Sequence, residues 1–161
     1  MARILVLEDD GATRSIVKET LIAGGHDVLE AADGRAGLRV FGANKIDLVV
    51  TDLLMPDMDG VELVRTIRAY GAPVRIVAIS GGSAACDPAD LLDTAVRLGA
   101  DAALPKPFRP GDLRELVAAV LTLPPPSGEQ PRPVRAPAAV PARLVRPLPV
   151  ETPAQWAKLP E

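Results

Sequence analysis

The chain has 161 residues, 48% of them hydrophobic, 24% charged and only 2% aromatic, with a formal net charge of −3. A single cysteine, Cys86, excludes an intramolecular disulfide and offers no metal-binding spacing. No apolar run approaches the roughly 20 residues that span a bilayer, and the mildly acidic balance gives no support to a nucleic acid or a membrane surface as the primary partner.

One folded domain is expected, with a core of Val, Ile, Leu and Ala. The apolar opening Ile4 to Leu7 is too short for a signal peptide, so a cytoplasmic protein is expected. Arg3-Ile4-Leu5-Val6-Leu7 predicts a strand buried on both faces, ending at Glu8-Asp9-Asp10. Thr13, Ile16, Val17, Thr20 and Leu21 then recur at helical spacing, and Gly24-Gly25 supplies the stop. Asp27 to Glu30 predicts a weak second strand, and Asp33-Gly34 opens a helix with Leu38 and Phe41 inward. The third strand is the aliphatic run from Ile46 to Val50, which stops at Asp52 and is followed by a Met-Pro turn. Asp59 suits an N-cap in front of Gly60, with Leu63, Val64 and Ile67 inward on a helix that ends near Gly71.

Val74 to Ile79 predicts the fourth strand, which runs into Ser80-Gly81-Gly82. Asp87-Pro88 pairs an N-cap with proline at the first helical position and starts a helix through Leu98 that Gly99 closes. Asp101 to Leu104 predicts a short fifth strand. From about Pro110 a last helix buries Leu113, Leu116, Val117, Val120 and Leu121. Five strands alternating with five helices over residues 1 to 123 predict a parallel sheet with helices on both faces and right-handed crossovers.

From Pro124 onward the composition changes. This segment holds eleven of the seventeen prolines and no periodic apolar pattern, so residues 124 to 161 predict an extended or disordered tail of polyproline II character. Its five basic residues, Arg132, Arg135, Arg143, Arg146 and Lys158, outnumber Glu129, Glu151 and Glu161. The tail reads either as a linker or as a docking peptide built on the Arg/Pro stretch or on Trp156.

The chemistry-bearing residues fall at predicted strand ends. In an open α/β sheet ligands bind outside the carboxyl ends of the strands, and a lone strand-end aspartate otherwise only caps a turn. Glu8 and Asp9 end the first strand, Asp52 the third and Ser80 the fourth, while Lys106 follows the fifth. If the first and third strands are neighbours, three carboxylates converge. Such a cluster needs a cation, and hard oxygen donors suit Mg²⁺. A hydroxyl and an ammonium opposite them describe a carboxylate nucleophile with an electrostatic clamp.

Four segments in order and spacing carry a resemblance: Ile4-Leu5-Val6-Leu7-Glu8-Asp9-Asp10, Thr51-Asp52 through Asp59-Gly60, Ile79-Ser80 and Lys106-Pro107-Phe108. Over residues 1 to 123 the chain resembles the receiver domains of bacterial two-component response regulators, here as a stand-alone receiver with a Pro-rich tail. The resemblance implies the flavodoxin-like fold with strand order 2-1-3-4-5. It implies that Asp52 accepts a phosphoryl group from a histidine kinase or a histidine phosphotransfer protein, so that the chain is a phosphorylation switch and not an enzyme. Glu8, Asp9, Asp52 and the Leu54 main-chain carbonyl would hold Mg²⁺. Ser80 would hydrogen-bond the phosphoryl oxygen, Lys106 would pair with it, and Lys106-Pro107 would be cis. The downstream target is a protein that the resemblance does not identify, and the face of the fourth helix, fifth strand and fifth helix is where such domains dimerise.

Departures from the family pattern bear on output. Ala103 stands three residues before the lysine, where an aromatic rotamer switch is usual. Leu54 and Gly82 replace polar side chains that help orient hydrolytic water in many members, which implies a longer-lived acyl phosphate. A degenerate receiver that binds partners without phosphorylation is one alternative. A Mg²⁺-dependent aspartyl phosphatase is another, but it needs an acid two residues after the nucleophile, where this chain has Leu54. Asp10 reads as a helix cap, Asp57 as a turn residue, His26 as an exposed loop residue and Cys86 as a loop thiol.

Overall fold

Strand and helix alternate without exception: β1 Arg3–Leu7, α1 Gly11–Ala23, β2 Asp27–Ala31, α2 Gly34–Ala43, β3 Leu48–Asp52, α3 Gly60–Ala69, β4 Arg75–Ser80, α4 Pro88–Arg97, β5 Ala102–Pro105 and α5 Pro110–Thr122. The computed structural model describes residues 1–56, 58–81 and 87–124. The readings made for Asp57, Gly82, Cys86, Trp156 and the Pro-rich segment 125–161 lie outside them. All strand pairs are parallel and the order is β2-β1-β3-β4-β5. This is the flavodoxin-like fold that the resemblance implies.

The alternation of side chains along the strands splits the core in two. Leu5, Leu7, Val49, Ile76 and Ala78 point to the side covered by α2, α3 and α4, where they meet Leu38, Phe41, Leu63, Val64, Ile67 and Ala95. Ile4, Val6, Leu48, Val50, Val77 and Ile79 point the other way, onto Val17 and Leu21 of α1 and Leu113, Val117 and Val120 of α5. Because β1, β3 and β4 are covered on both faces, their residues form continuous apolar runs. With few rings available, the layers are filled by branched aliphatics of similar volume.

Aspartates cap the amino ends of α1, α2 and α3. Asp10 Oδ2 accepts from the Thr13 amide at 2.8 Å and from Thr13 Oγ1 at 2.6 Å, Asp33 Oδ1 from the Ala36 amide at 2.6 Å, and Asp59 Oδ1 from the Val61 amide at 2.9 Å. Each satisfies donors that the first helical turn leaves without partners. Gly25 and Gly99 follow α1 and α4 at φ of 82° and 117°, backbone that a side chain resists.

Four strands differ from expectation by one or two residues at an end: β2, β4 and β5 by one, and β3, which begins at Leu48 and not at Ile46, by two. β2 runs on to Ala31, because the register that pairs Arg3 with Asp27 carries through to Leu7 and Ala31. β4 begins at Arg75 and β5 at Ala102. Asp101 stays outside β5 because its carboxylate is taken up by Arg68, Arg75 and the Ile76 amide. Ile16, although it fits the helical repeat of α1, is 53% exposed, whereas Val17, Thr20 and Leu21 of the same repeat are buried.

Candidate functional site

Parallel pairing brings the carboxyl ends of β1, β3 and β4 to one edge. Leu7 lies beside Thr51, Asp52 beside Ile79, and Ser80 beside Pro105. The residues that leave these strands therefore meet: Glu8 after β1, Asp52 at the end of β3, Ser80 at the end of β4 and Lys106 after β5. Glu8, Asp52 and Ser80 are buried, and Asp9 is exposed at the rim.

Lys106 joins this edge together. Its Nζ donates to Asp52 Oδ2 and to Glu8 Oε2, each at 2.7 Å. The remaining oxygens are also engaged: Asp52 Oδ1 accepts from the Leu54 amide at 2.9 Å, and Glu8 Oε1 from the Asp10 amide at 3.2 Å. Lys106 is placed by its own amide, which donates to the Ser80 carbonyl at 2.9 Å, and the peptide that follows it, Lys106-Pro107, is cis. Ser80 itself is fully buried at the end of β4.

The electrostatics follow from crowding. Burial pushes the Glu8 carboxyl above its ordinary range; the Lys106 hydrogen bond opposes this and the neighbouring Asp52 charge reinforces it. Burial alone would lower Lys106, but its hydrogen bonds and charge interactions with Asp52 and Glu8 prevail and hold the ammonium above the ordinary lysine range. The Thr13 hydroxyl and amide hold Asp10 below the usual carboxylate range. One ammonium among three carboxylates leaves two negative charges in excess.

That excess, with ligand oxygens of Glu8, Asp9 and Asp52 all within 4.8 Å of one another, fits a divalent cation held by hard donors. The Glu8 and Asp52 carboxylate oxygens each keep a lone pair beyond the hydrogen bond they now accept. The residues present therefore fit Mg²⁺.

Glu8, Asp9, Asp52 and Lys106, each expected at the site, come together. Ser80 reaches the same edge. Leu54 contributes its amide to Asp52, a contact that no side-chain pattern signals, because any residue at that place in the turn offers the same N–H. Asp10 caps α1 and also orients Glu8 through its amide, again a main-chain role invisible in residue types. Ala103 lies on the α2–α3–α4 side of β5 and is partly buried against that core. His26 departs from its expected exposure: it is half-buried, and its Nδ1 accepts from the Ala2 amide at 3.4 Å, because the register that pairs Arg3 with Asp27 sets the residues before them side by side. Two further features escaped the sequence reading: the Arg14 guanidinium, which donates to the carbonyls of Glu8 and Asp9, and an Arg68–Asp101–Arg75 cluster at the opposite edge.

Strand order, crossovers and an acidic edge define a doubly wound α/β protein with its chemistry at the carboxyl ends of the strands. Residues 4–118 match the family model of the response regulator receiver domain. The chain belongs to that family. It is 36% identical over 121 residues to the response regulator MprA of Mycolicibacterium vanbaalenii, covering 75% of this chain and 49% of that one. It is also 36% identical over 119 residues to the probable transcriptional regulator ycf27 of Porphyridium aerugineum, covering 74% and 48%. The chain thus spans about half the length of the curated relatives it matches. Among solved structures, a CheY-like receiver domain protein from Methanospirillum hungatei superimposes with a TM-score of 0.68 at 28% identity, covering 75% of this chain and 94% of that one. Membership places the chain in two-component signal transduction, where receiver domains act as phosphoacceptor switches and not as enzymes. No helix among the described residues is long and apolar enough to cross a membrane.

Proposed function

We propose that Asp52 is the phosphoacceptor of this receiver, that its donor is a phosphohistidine on a kinase or phosphotransfer protein, and that Glu8, Asp9, Asp52 and the Leu54 carbonyl hold Mg²⁺. The observation that carries the reading is the single ammonium of Lys106 at 2.7 Å from both Asp52 and Glu8, beside an acid triad whose oxygens lie within 4.8 Å. A lysine held this way is a counter-charge poised for an incoming anion.

In the transfer, an Asp52 carboxylate oxygen forms a bond to phosphorus as the phosphorus–nitrogen bond to the donor imidazole breaks, and the nitrogen leaves with the electron pair. The Leu54 amide holds Asp52 Oδ1 and so fixes the plane of the carboxylate, which lowers the entropic cost of in-line attack. Lys106 moves part of its charge from Asp52 to the phosphoryl oxygens, where negative charge remains after transfer. Ser80 donates its hydroxyl to a phosphoryl oxygen. Held by Glu8, Asp9, Asp52 and the Leu54 carbonyl, Mg²⁺ would supply positive charge that offsets part of the charge of the acids and of the phosphoryl group. Leu54 offers no acid for hydrolysis, which disfavours a phosphatase and supports a long-lived acyl phosphate. The complete set of Glu8, Asp9, Asp52, Ser80 and Lys106 disfavours a phosphorylation-independent binding module.

Residues 1–123 form the receiver unit in this reading, acting in the cytoplasm, and 124–161 a Pro-rich appendage. The output is a change in protein–protein contacts, with homodimerisation through α4, β5 and α5 as one form it can take. Incubation with Mg²⁺ and acetyl phosphate followed by intact mass tests the reading. The wild type should gain one phosphoryl group and Asp52→Asn none; equal gains in both would overturn it.

A further inference from the structure

Between β1 and α1 three consecutive carboxylates, Glu8, Asp9 and Asp10, must be held in one fixed loop although they repel each other. The Glu8 amide donates to the Ala31 carbonyl at 3.2 Å, the Asp10 amide to Glu8 Oε1 at 3.2 Å and the Arg14 amide to the Asp10 carbonyl at 2.9 Å, bonds that hold the two ends of the loop but not the Glu8 and Asp9 carbonyls. Those carbonyls are taken by Arg14, one turn into α1. Arg14 Nη1 donates to the Glu8 carbonyl at 2.7 Å and to the Asp9 carbonyl at 3.4 Å. Nη1 carries two N–H groups held in the plane of the guanidinium, so it can direct one to each of the two successive carbonyls, holding the first peptide plane closely and restraining the second. The directions in which the Glu8 and Asp9 side chains leave the backbone are constrained with them. Among the described residues Arg14 forms no salt bridge that would compete for the same group. It is half-buried behind the loop and not extended into solvent.

We propose that Arg14 is a positioning residue for the acid triad: by clamping the Glu8 and Asp9 carbonyls it sets how tightly the site binds Mg²⁺. The proposal rests on the reading of the triad as a Mg²⁺ site. Groups that orient metal ligands typically contribute about 10–100-fold to metal affinity, and a clamp on the main chain belongs at the low end of that range.

Mg²⁺ titration of the unphosphorylated protein, followed by amide chemical shifts, tests it without any phosphoryl transfer. Arg14→Ala should weaken Mg²⁺ binding about tenfold. Arg14→Lys keeps the charge but not the two in-plane N–H directions that Nη1 fixes, and should recover only part of the loss. In the metal-free protein the amides of Glu8, Asp9 and Asp10 should shift in both variants while those of β4 and β5 stay in place. Wild-type affinity in Arg14→Ala overturns the proposal, and so does full recovery in Arg14→Lys, which would make charge alone responsible. If Arg14→Ala loses its dispersed spectrum, Arg14→Lys against wild type decides the matter, and equal affinities reject the clamp. A wild type that binds no Mg²⁺ overturns the triad reading itself, and the clamp with it.

Discussion

Lys106 is the residue on which the site turns, because one ammonium bridges two carboxylates that would otherwise face each other unshielded. Replacing it with methionine leaves Asp52 and Glu8 buried at 7% and 3% side-chain exposure with no counter-charge. Removing one partner of a fully buried pair costs ~3–5 kcal/mol; the lysine is 23% exposed, so solvent screens part of this and about 2 kcal/mol is expected from urea unfolding without Mg²⁺. The same variant should accept no phosphoryl group at an appreciable rate. The pH dependence has a definite sign. Since the folded-state value of Lys106 is raised, its contribution is fully present below the ordinary lysine value near pH ~10.4 and is lost as pH rises through the elevated one. The stability gap between wild type and Lys106→Met should therefore stay level from neutral pH to about 10 and close above it. A gap unchanged at higher pH would show that the lysine stabilises by packing and not by charge.

At the scale of elements, the approach of α3 to the end of β3 places Asp52. A Cβ built on Gly60 would lie 2.2 Å from the Asp52 carbonyl oxygen and 2.6 Å from Leu53 Cα. Both are backbone atoms that cannot swing aside. Gly60→Ala should destabilise by about 3 kcal/mol and slow phosphorylation by on the order of tenfold or more as Asp52 is displaced. Gly111, on α5, has open space around it, so Gly111→Ala should be neutral or stabilise by about 0.5 kcal/mol. Urea unfolding and the initial rate of acetyl phosphate labelling separate the two; equal effects would contradict this account of the β3–α3 contact. The elements themselves were legible because the buried strands are uninterrupted aliphatic runs and the helices open on Asp10, Asp33 and Asp59. What was not legible was where runs end by pairing. Ala31 belongs to β2 through its register with Leu7, and Asp101 leaves β5 through its bonds to two arginines, neither of which the local pattern encodes. Ile16 satisfies the period of α1 yet stays exposed, since a repeat does not say how wide the covered face is.

In the whole molecule the two sheet edges divide labour. The carboxyl edge carries the acids and Lys106. The amino edge carries a clamp in which Asp101 accepts from Arg68 at 2.8 Å, Arg75 at 2.6 Å and the Ile76 amide at 2.8 Å, while Arg68 also binds the Gly99 and Val74 carbonyls and Arg75 the Pro124 carbonyl. It ties α3, β4, β5 and the end of α5 together, and burial lowers Arg68 against the pull of Asp101. Asp101→Ala strands two guanidiniums and an amide, so it should cost ~3–5 kcal/mol while leaving Mg²⁺ affinity at the opposite edge within about twofold, because sites without shared partners act independently. A loss of Mg²⁺ affinity in this variant, measured while it is still folded, would show that the edges are coupled. The site was legible to the extent that it consists of charged side chains at strand ends. Glu8, Asp9, Asp52 and Lys106 were named from their types and order, whereas the Leu54 and Asp10 amides and the Arg14 contacts are main-chain events that residue identity does not announce. The central claim is that Asp52 forms the acyl phosphate. Reduction with borohydride converts an aspartyl phosphate to homoserine, so peptide mass analysis after labelling with Mg²⁺ and acetyl phosphate reads the modified position directly. Conversion at residue 52, absent when Mg²⁺ is chelated, is the result predicted; conversion at Asp9 or another acid, or none at all, would contradict it.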